Sequence, residues 1–112
     1  MSEEILVWLH DIQKEILQIE EFYASTQKSF ITFRSNAMLR KAIERNLEIA
    51  VEALNRILDK DPNFPISNAR KIIGFRNRLI HAYDAVDTSM VWAIFVNHLP
   101  LLKAELILKY GF

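Results

Sequence analysis

The chain of 112 residues contains no cysteine. That absence excludes a disulfide framework and any thiolate-held metal, and it fits a reducing compartment. Turn-forming residues are nearly as scarce, with two glycines and three prolines. No run of alternating β-branched residues bounded by turn signals occurs, and neither does an internal repeat or a low-complexity linker. The sequence therefore reads as all-α. Charge of one sign is not in excess either: 14 Lys and Arg face 14 Asp and Glu, so the molecule as a whole has no pull on a polyanion. No uninterrupted apolar run approaches the roughly 20 residues that span a bilayer, and no membrane partner is expected. The opening MSEEILVWLHDIQKEI starts on acids and lacks the basic stretch of a signal peptide, so a cytoplasmic protein is expected.

What is present is apolar residues, 51% of the chain, enough for one core and a single domain over residues 1–112. A domain this small buries a limited share of its surface, so self-association would help it. The charges are unevenly spread. Residues 3–21 hold Glu3, Glu4, Asp11, Glu15, Glu20 and Glu21 against Lys14 alone. Two later windows have no acid: residues 22–43 hold Lys28, Arg34, Arg40 and Lys41, and residues 62–83 hold Arg70, Lys71, Arg76 and Arg78. Either these are solvated helix faces or the second window is a local polyanion site.

Hydrophobic spacing predicts a first helix from Glu3 to Tyr23, capped by Ser2, with Ile5, Leu9, Ile12, Ile16, Ile19 and Tyr23 inward. A short helix near Lys28 to Phe33 should follow. Ser35 or Asn36 can cap a third helix reaching Leu58, with Leu39, Ile43, Leu47, Ala50, Leu54 and Ile57 as its stripe. The stretch DKDPNFP breaks the chain. Ser67 or Asn68 can cap a fourth helix through His81 or Tyr83, and Asp87 or Thr88 opens the last, with Met90, Val91, Ile94, Phe95 and Leu99 inward. Pro100 should kink that helix or break it in two, leaving a short terminal helix from Leu101 to Lys109. Four to five helices with short connections make an antiparallel bundle.

The fourth helix carries an anomaly. On a helical wheel Arg76 falls between Ile72 and Leu79 on one side and Ile73 and Ile80 on the other, at the centre of the apolar stripe. Tyr83 lies two turns along the same face, and Asn77, His81 and Gly74 form a polar edge. A charge in a core stripe is costly unless paired. Three arrangements satisfy it: a carboxylate of the same chain such as Glu48 or Glu52, a dimer seam, or a cleft that receives an anion. Gly74, costly in a helix interior, suggests a close approach to the backbone there. His10 and His98 read as ordinary surface or capping residues. His81, beside Asn77 and near Arg76, differs. A neutral imidazole can take a proton from a ribose 2′-hydroxyl, and a guanidinium can hold the phosphate. No phosphate loop, HExxH or nucleophile elbow competes with this pair.

Arg76, four residues, His81, one residue, Tyr83 reads Rx4HxY within IIGFRNRLIHAYDAVDTSMVW, and with RNLEIAVEAL at 45–54 and LPLLKAEL near the end it closely resembles the HepT-like toxins of the HEPN superfamily. The resemblance covers nearly the whole chain. It departs from the pattern at Val51, Ala82 and the YDAVD after the histidine. The resemblance implies a homodimeric helical bundle and a metal-independent ribonuclease toxin without a cofactor, acting on mRNA or tRNA. It also implies a cognate minimal nucleotidyltransferase antitoxin that transfers AMP from ATP to the motif tyrosine. Carried over, Arg76 and His81 are the catalytic pair, and Tyr83 is the residue modified. Asn77 is the polar residue that often follows the arginine. Arg78, Arg70 and Lys71 would support RNA binding. The competing reading is a non-catalytic helical module that partners a nucleotidyltransferase and presents its substrate.

Overall fold

The computed structural model describes residues 2–24, 29–74 and 88–112. The described residues are helical and contain no strand. Helix α1 is Glu3–Phe22, α2 is Phe30–Ser35 and α3 is Ala37–Lys60. Residues 69–74 form the described part of α4, α5 is Thr88–Ala93 and α6 is Leu99–Tyr110.

Local signals set the first three helices. The Ser2 hydroxyl accepts the Ile5 N–H at 3.2 Å, with Glu3 and Glu4 in the first turn, where the helix end is positive. The Ser29 hydroxyl caps α2 through the Thr32 N–H at 3.1 Å, and Asn36 caps α3 through the Leu39 N–H at 3.0 Å. The expected α1 stripe is buried at every position, and Gln13 and Glu15 are buried with it. The α3 stripe is buried apart from Leu39, which packs half-buried on the core. Glu4 pairs with Lys60 at 3.1 Å and Gln18 accepts from Asn46 at 2.7 Å, so α1 and α3 run antiparallel.

The C-terminal third departs from expectation. Pro100 does not split the helix. Ile94–His98 form a single π-turn in which the Leu99 N–H bonds to the Ile94 carbonyl five residues back. Pro100 then falls in the first turn of α6, where its missing N–H leaves no gap in the ladder. The wider turn gives the pyrrolidine ring the room that a straight α-helix would deny it. Helix continues to Tyr110, and Gly111, at a φ of 75°, ends it in the left-handed conformation that suits glycine. The whole stretch Thr88–Tyr110 has 23 residues and a mean hydropathy of 1.5 in its most apolar window. By length and composition it could cross a membrane, which a search for uninterrupted runs passes over. Its Val91, Ile94, Phe95, Leu99, Leu102 and Leu106 are buried in the bundle core.

Two features join the C-terminal helices to the rest. One is a carboxylate. Glu105 of α6 is buried and accepts from the Ser67 N–H at 2.7 Å, the Ser67 hydroxyl at 2.9 Å, the Asn68 N–H at 3.1 Å and the Asn68 side-chain amide at 3.0 Å. Lys109 donates a further bond at 2.9 Å. Ser67 and Asn68 do stand at the head of α4, as the sequence suggests, but the acceptor for their N–H groups comes from a helix far along the chain. Burial pushes the Glu105 carboxyl up, yet the bonds from Lys109, Ser67 and Asn68 outweigh it and hold its pKa at about 2. The other feature is a cluster of rings. Trp92 of α5 lies 5.4 Å from Phe33, 5.6 Å from Phe95, 6.0 Å from Phe30 and 6.3 Å from Tyr23. Tyr23 stacks on Phe95 at 4.9 Å, but its buried hydroxyl has no hydrogen-bond partner among the described residues, and burial pushes its pKa up to about 12.

Replacing Glu105 by alanine leaves the Ser67 and Asn68 N–H groups without their buried acceptor and should cost about 3 kcal/mol at pH 7, measured by urea unfolding. The folded pKa lies below the ordinary value of 4.5, so this stabilisation is complete above pH 4.5 and fades as pH falls toward 2. The gap in stability between the parent protein and Glu105→Ala should therefore shrink over that window; a gap independent of pH would contradict the assignment. Tyr23→Phe removes an unsatisfied hydroxyl and keeps the ring. It should raise stability by about 1 kcal/mol, and a loss of that size in the same assay would mean the hydroxyl is bonded after all.

Candidate functional site

The motif residues Arg76, Asn77, Arg78, His81 and Tyr83 lie outside the described residues, as does Asp87. The structure describes the chain leading into that segment and the chain leaving it.

On the entry side, α4 is fastened at its head. The Glu105 clasp holds Ser67 and Asn68, and the Tyr110 hydroxyl donates to the Pro65 carbonyl at 2.6 Å while its ring stacks on Phe64 at 5.4 Å. Both prolines of DKDPNFP thus have their carbonyls engaged, because Arg70 donates to the Pro62 carbonyl at 2.8 Å. That bond gives Arg70 a structural task beside any contact with RNA, although the residue stays exposed. Lys71 is exposed one residue on. Ala69 and Ile72 of α4 are fully buried. At His98, in the π-turn, burial and the charge of Lys71 together hold the imidazole pKa below its ordinary value. Gly74 is the last described residue before the motif. A methyl group built on it would meet no atom of the described residues within 4 Å.

On the exit side, Thr88 begins α5 and Trp92 locks that helix into the aromatic cluster. The chain is therefore held by buried contacts both before Gly74 and after Thr88.

The carboxylates considered as partners for Arg76 are on the outer face of α3. Glu52 already bonds Arg56 at 2.7 Å. Glu48 lines a shallow groove of about 310 Å³ with Arg45, Ile49, Val51, Glu52 and Asn55. A second cavity of about 290 Å³ lies between α1 and the π-turn, lined by Ile16, Ile19, Phe95, Leu99 and Pro100, with Glu20 and Lys103 paired at 2.9 Å on its rim. With its carboxylate committed to that lysine, it is poorly suited to acid–base chemistry. Among the described residues no three of His, Asp and Glu gather as metal ligands. His10 rests edge-on against Phe112 at 4.2 Å.

Sequence reasoning missed Glu105 and the ring cluster. Glu105 and Lys109, four apart on a helix, read in sequence as an ordinary surface pair. The aromatic residues were visible, but their meeting depends on tertiary packing.

Comparison with known proteins bears directly on this segment. A protein of Methanocaldococcus jannaschii with the provisional name of an RNase is 32% identical over 106 residues, 91% of this chain and 93% of its own length. A protein of Thermococcus cleftensis named as a probable ribonuclease HepT is 32% identical over 102 residues, 88% of each chain. A protein of Caldanaerobacter subterraneus, also provisionally named an RNase, is 31% identical over 98 residues, 82% of this chain and 85% of its own. No solved structure matches the chain significantly. The family model described as ribonuclease HepT-like matches residues 12–107, which span α1 to α6 and the whole motif segment, and the chain belongs to that family.

Proposed function

We propose that this protein is a metal-independent endoribonuclease toxin, restrained by a nucleotidyltransferase antitoxin that transfers AMP to it. The observation that carries the reading is the Rx4HxY spacing of Arg76, His81 and Tyr83 in a chain of the HepT-like ribonuclease family.

In this mechanism His81 accepts the proton of a ribose 2′-hydroxyl. The 2′-oxygen attacks the adjacent phosphorus and the bond to the 5′-oxygen breaks. The products are a 2′,3′-cyclic phosphate and a 5′-hydroxyl, which takes up a proton as it leaves. Arg76 binds the phosphate and offsets the charge that grows on its oxygens in the transition state. Asn77 and Arg78 hold the RNA beside the pair, and Arg70 and Lys71 extend the cationic surface toward the head of α4. Two copies of the chain meet so that their motifs share one cleft. Each step here uses only a base and a cation, so none depends on a bound metal.

Tyr83 is the switch. Its hydroxyl attacks the α-phosphorus of ATP in the antitoxin's active site, a phosphodiester forms and pyrophosphate leaves. The attached nucleotide brings a negative phosphate and a base into the space that RNA requires.

Purified protein should cleave RNA in EDTA and leave 2′,3′-cyclic phosphate ends. Arg76→Ala and His81→Ala should each lower the rate by about 10²–10⁴-fold while keeping the fold by circular dichroism. Cleavage that EDTA abolishes, or full activity in His81→Ala, would overturn the mechanism. If the parent protein has no activity but binds a cognate minimal nucleotidyltransferase, the non-catalytic partner module is the correct reading. Co-expression with that nucleotidyltransferase should add AMP to Tyr83, located by peptide mass spectrometry, and Tyr83→Phe should lack the adduct. Modification mapped to another residue would refute the assignment of the switch.

A further inference from the structure

The first acid-free window, residues 22–43, has no part in the motif, and the structure shows what it builds. Helix α2 and the first turns of α3 present Arg34 and Lys41 exposed to solvent, and neither forms an ion pair among the described residues. Arg40 fixes the junction between the two helices by donating to the Arg34 carbonyl at 2.6 Å, and its nearest carboxylate, Glu44, stands at the limit of pairing at 4.0 Å. The Arg34 guanidinium lies 5.8 Å from the centre of the Phe30 ring. Ile31 and Met38 are among the most exposed apolar side chains, 69% and 83%. The result is a small cationic surface, with Arg34 and Lys41 free of ion pairs among the described residues, on elements that also expose apolar side chains.

Stability alone does not account for it. Neither α2 nor α3 has an acid in its first turn, and α3 carries Arg40 and Lys41 close to its positive end, where carboxylates would be favourable. Its position is also informative. Phe30 and Phe33 of this segment pack on Trp92 of α5, the helix that leaves the motif segment.

We infer that the surface of Arg34, Arg40 and Lys41 binds the phosphate backbone of single-stranded RNA, with Ile31 and Met38 available to cover unstacked bases. This inference rests on the ribonuclease reading above and adds a binding site outside the motif. A single strand fits better than a duplex because its bases are free to contact apolar side chains. Arg34 and Lys41, exposed and without an ion pair among the described residues, supply the sequence-independent part of the affinity by releasing counterions from the RNA.

The test is the salt dependence of binding. A short 2′-O-methylated RNA, which cannot form a cyclic phosphate, is titrated with the full-length protein and with the double variant Arg34→Gln/Lys41→Gln, by fluorescence anisotropy between 50 and 200 mM salt. Both side chains are exposed, so the variant should keep the circular dichroism of the parent. Losing two phosphate contacts should reduce the slope of log affinity against log salt by about 1.4 and weaken binding at low salt. Cleavage of unmodified RNA is measured in parallel on the parent protein. If the parent cleaves RNA and the double variant binds with the same slope and affinity, this surface is not an RNA site, although the ribonuclease reading stands. If the variant instead binds RNA normally and loses only its hold on the nucleotidyltransferase, the surface belongs to a protein partner and the inference is overturned. If the parent neither cleaves nor binds RNA, both readings fall together.

Discussion

A buried carboxylate is the constraint on which much of this bundle depends. Glu105 would be a liability in the interior if any of its lone pairs were idle. Instead it takes two backbone N–H groups, a hydroxyl and an amide from the head of α4, and an ammonium from its own helix. The loop from 61 to 68 has two prolines and few donors of its own, so α4 depends on α6 for its starting position. The orientation of α6 depends in turn on the π-turn before it. A helix without that extra residue would present Glu105 rotated by about 100° and away from Ser67. Pro100 and the Ile94–His98 turn are thus part of the same arrangement as the clasp, although they lie elsewhere on the helix.

The ring cluster does the corresponding work on the other side of the motif. Tyr23, Phe30, Phe33, Trp92 and Phe95 come from the end of α1, from α2 and from the start of the last helical stretch. Their packing fixes where the chain resumes after the motif. The Tyr23 hydroxyl, without a partner among the described residues, is a cost the ring stacking offsets. Aromatic packing and a polar clasp therefore hold the two ends of one segment by different physical means, and acid should weaken the clasp while leaving the rings alone.

Legibility in the sequence followed the range of each signal. The α1 stripe and its Ser2 cap were readable because both are local, and the same holds for Asn36 and the core face of α3. The short helix appears slightly later than the spacing suggested, at Phe30–Ser35, because Ser29 supplies the cap. Pro100 was read correctly as an obstacle to a straight helix, but the relief is a π-turn instead of a break, and spacing alone does not distinguish the two. Gly74 was read as a point of close approach, and none of the described residues makes that approach. Glu105 could not be found, because its partners lie 37 and 38 residues away and its local pattern is that of a surface ion pair. At the site, Arg70 and Lys71 could be placed on α4. The assignment of Arg76, His81 and Tyr83 rests on their spacing and on family resemblance, since composition permits their chemistry without requiring it.

The balance of charge acquires a meaning in the ribonuclease proposed here. A protein with equal acids and bases has little long-range attraction for nucleic acid, so its hold on RNA must come from local contacts. Six acids lie on α1, while the acid-free windows are residues 22–43, which hold α2 and the start of α3, and residues 62–83, which hold the described part of α4. Bringing a guanidinium and an imidazole into register with one phosphate requires placement within about half an ångström. A segment anchored at both ends is the economical way to reach that precision, and it explains why a chain with so few glycines and prolines directs its strongest polar contacts to the helix that leads into the motif.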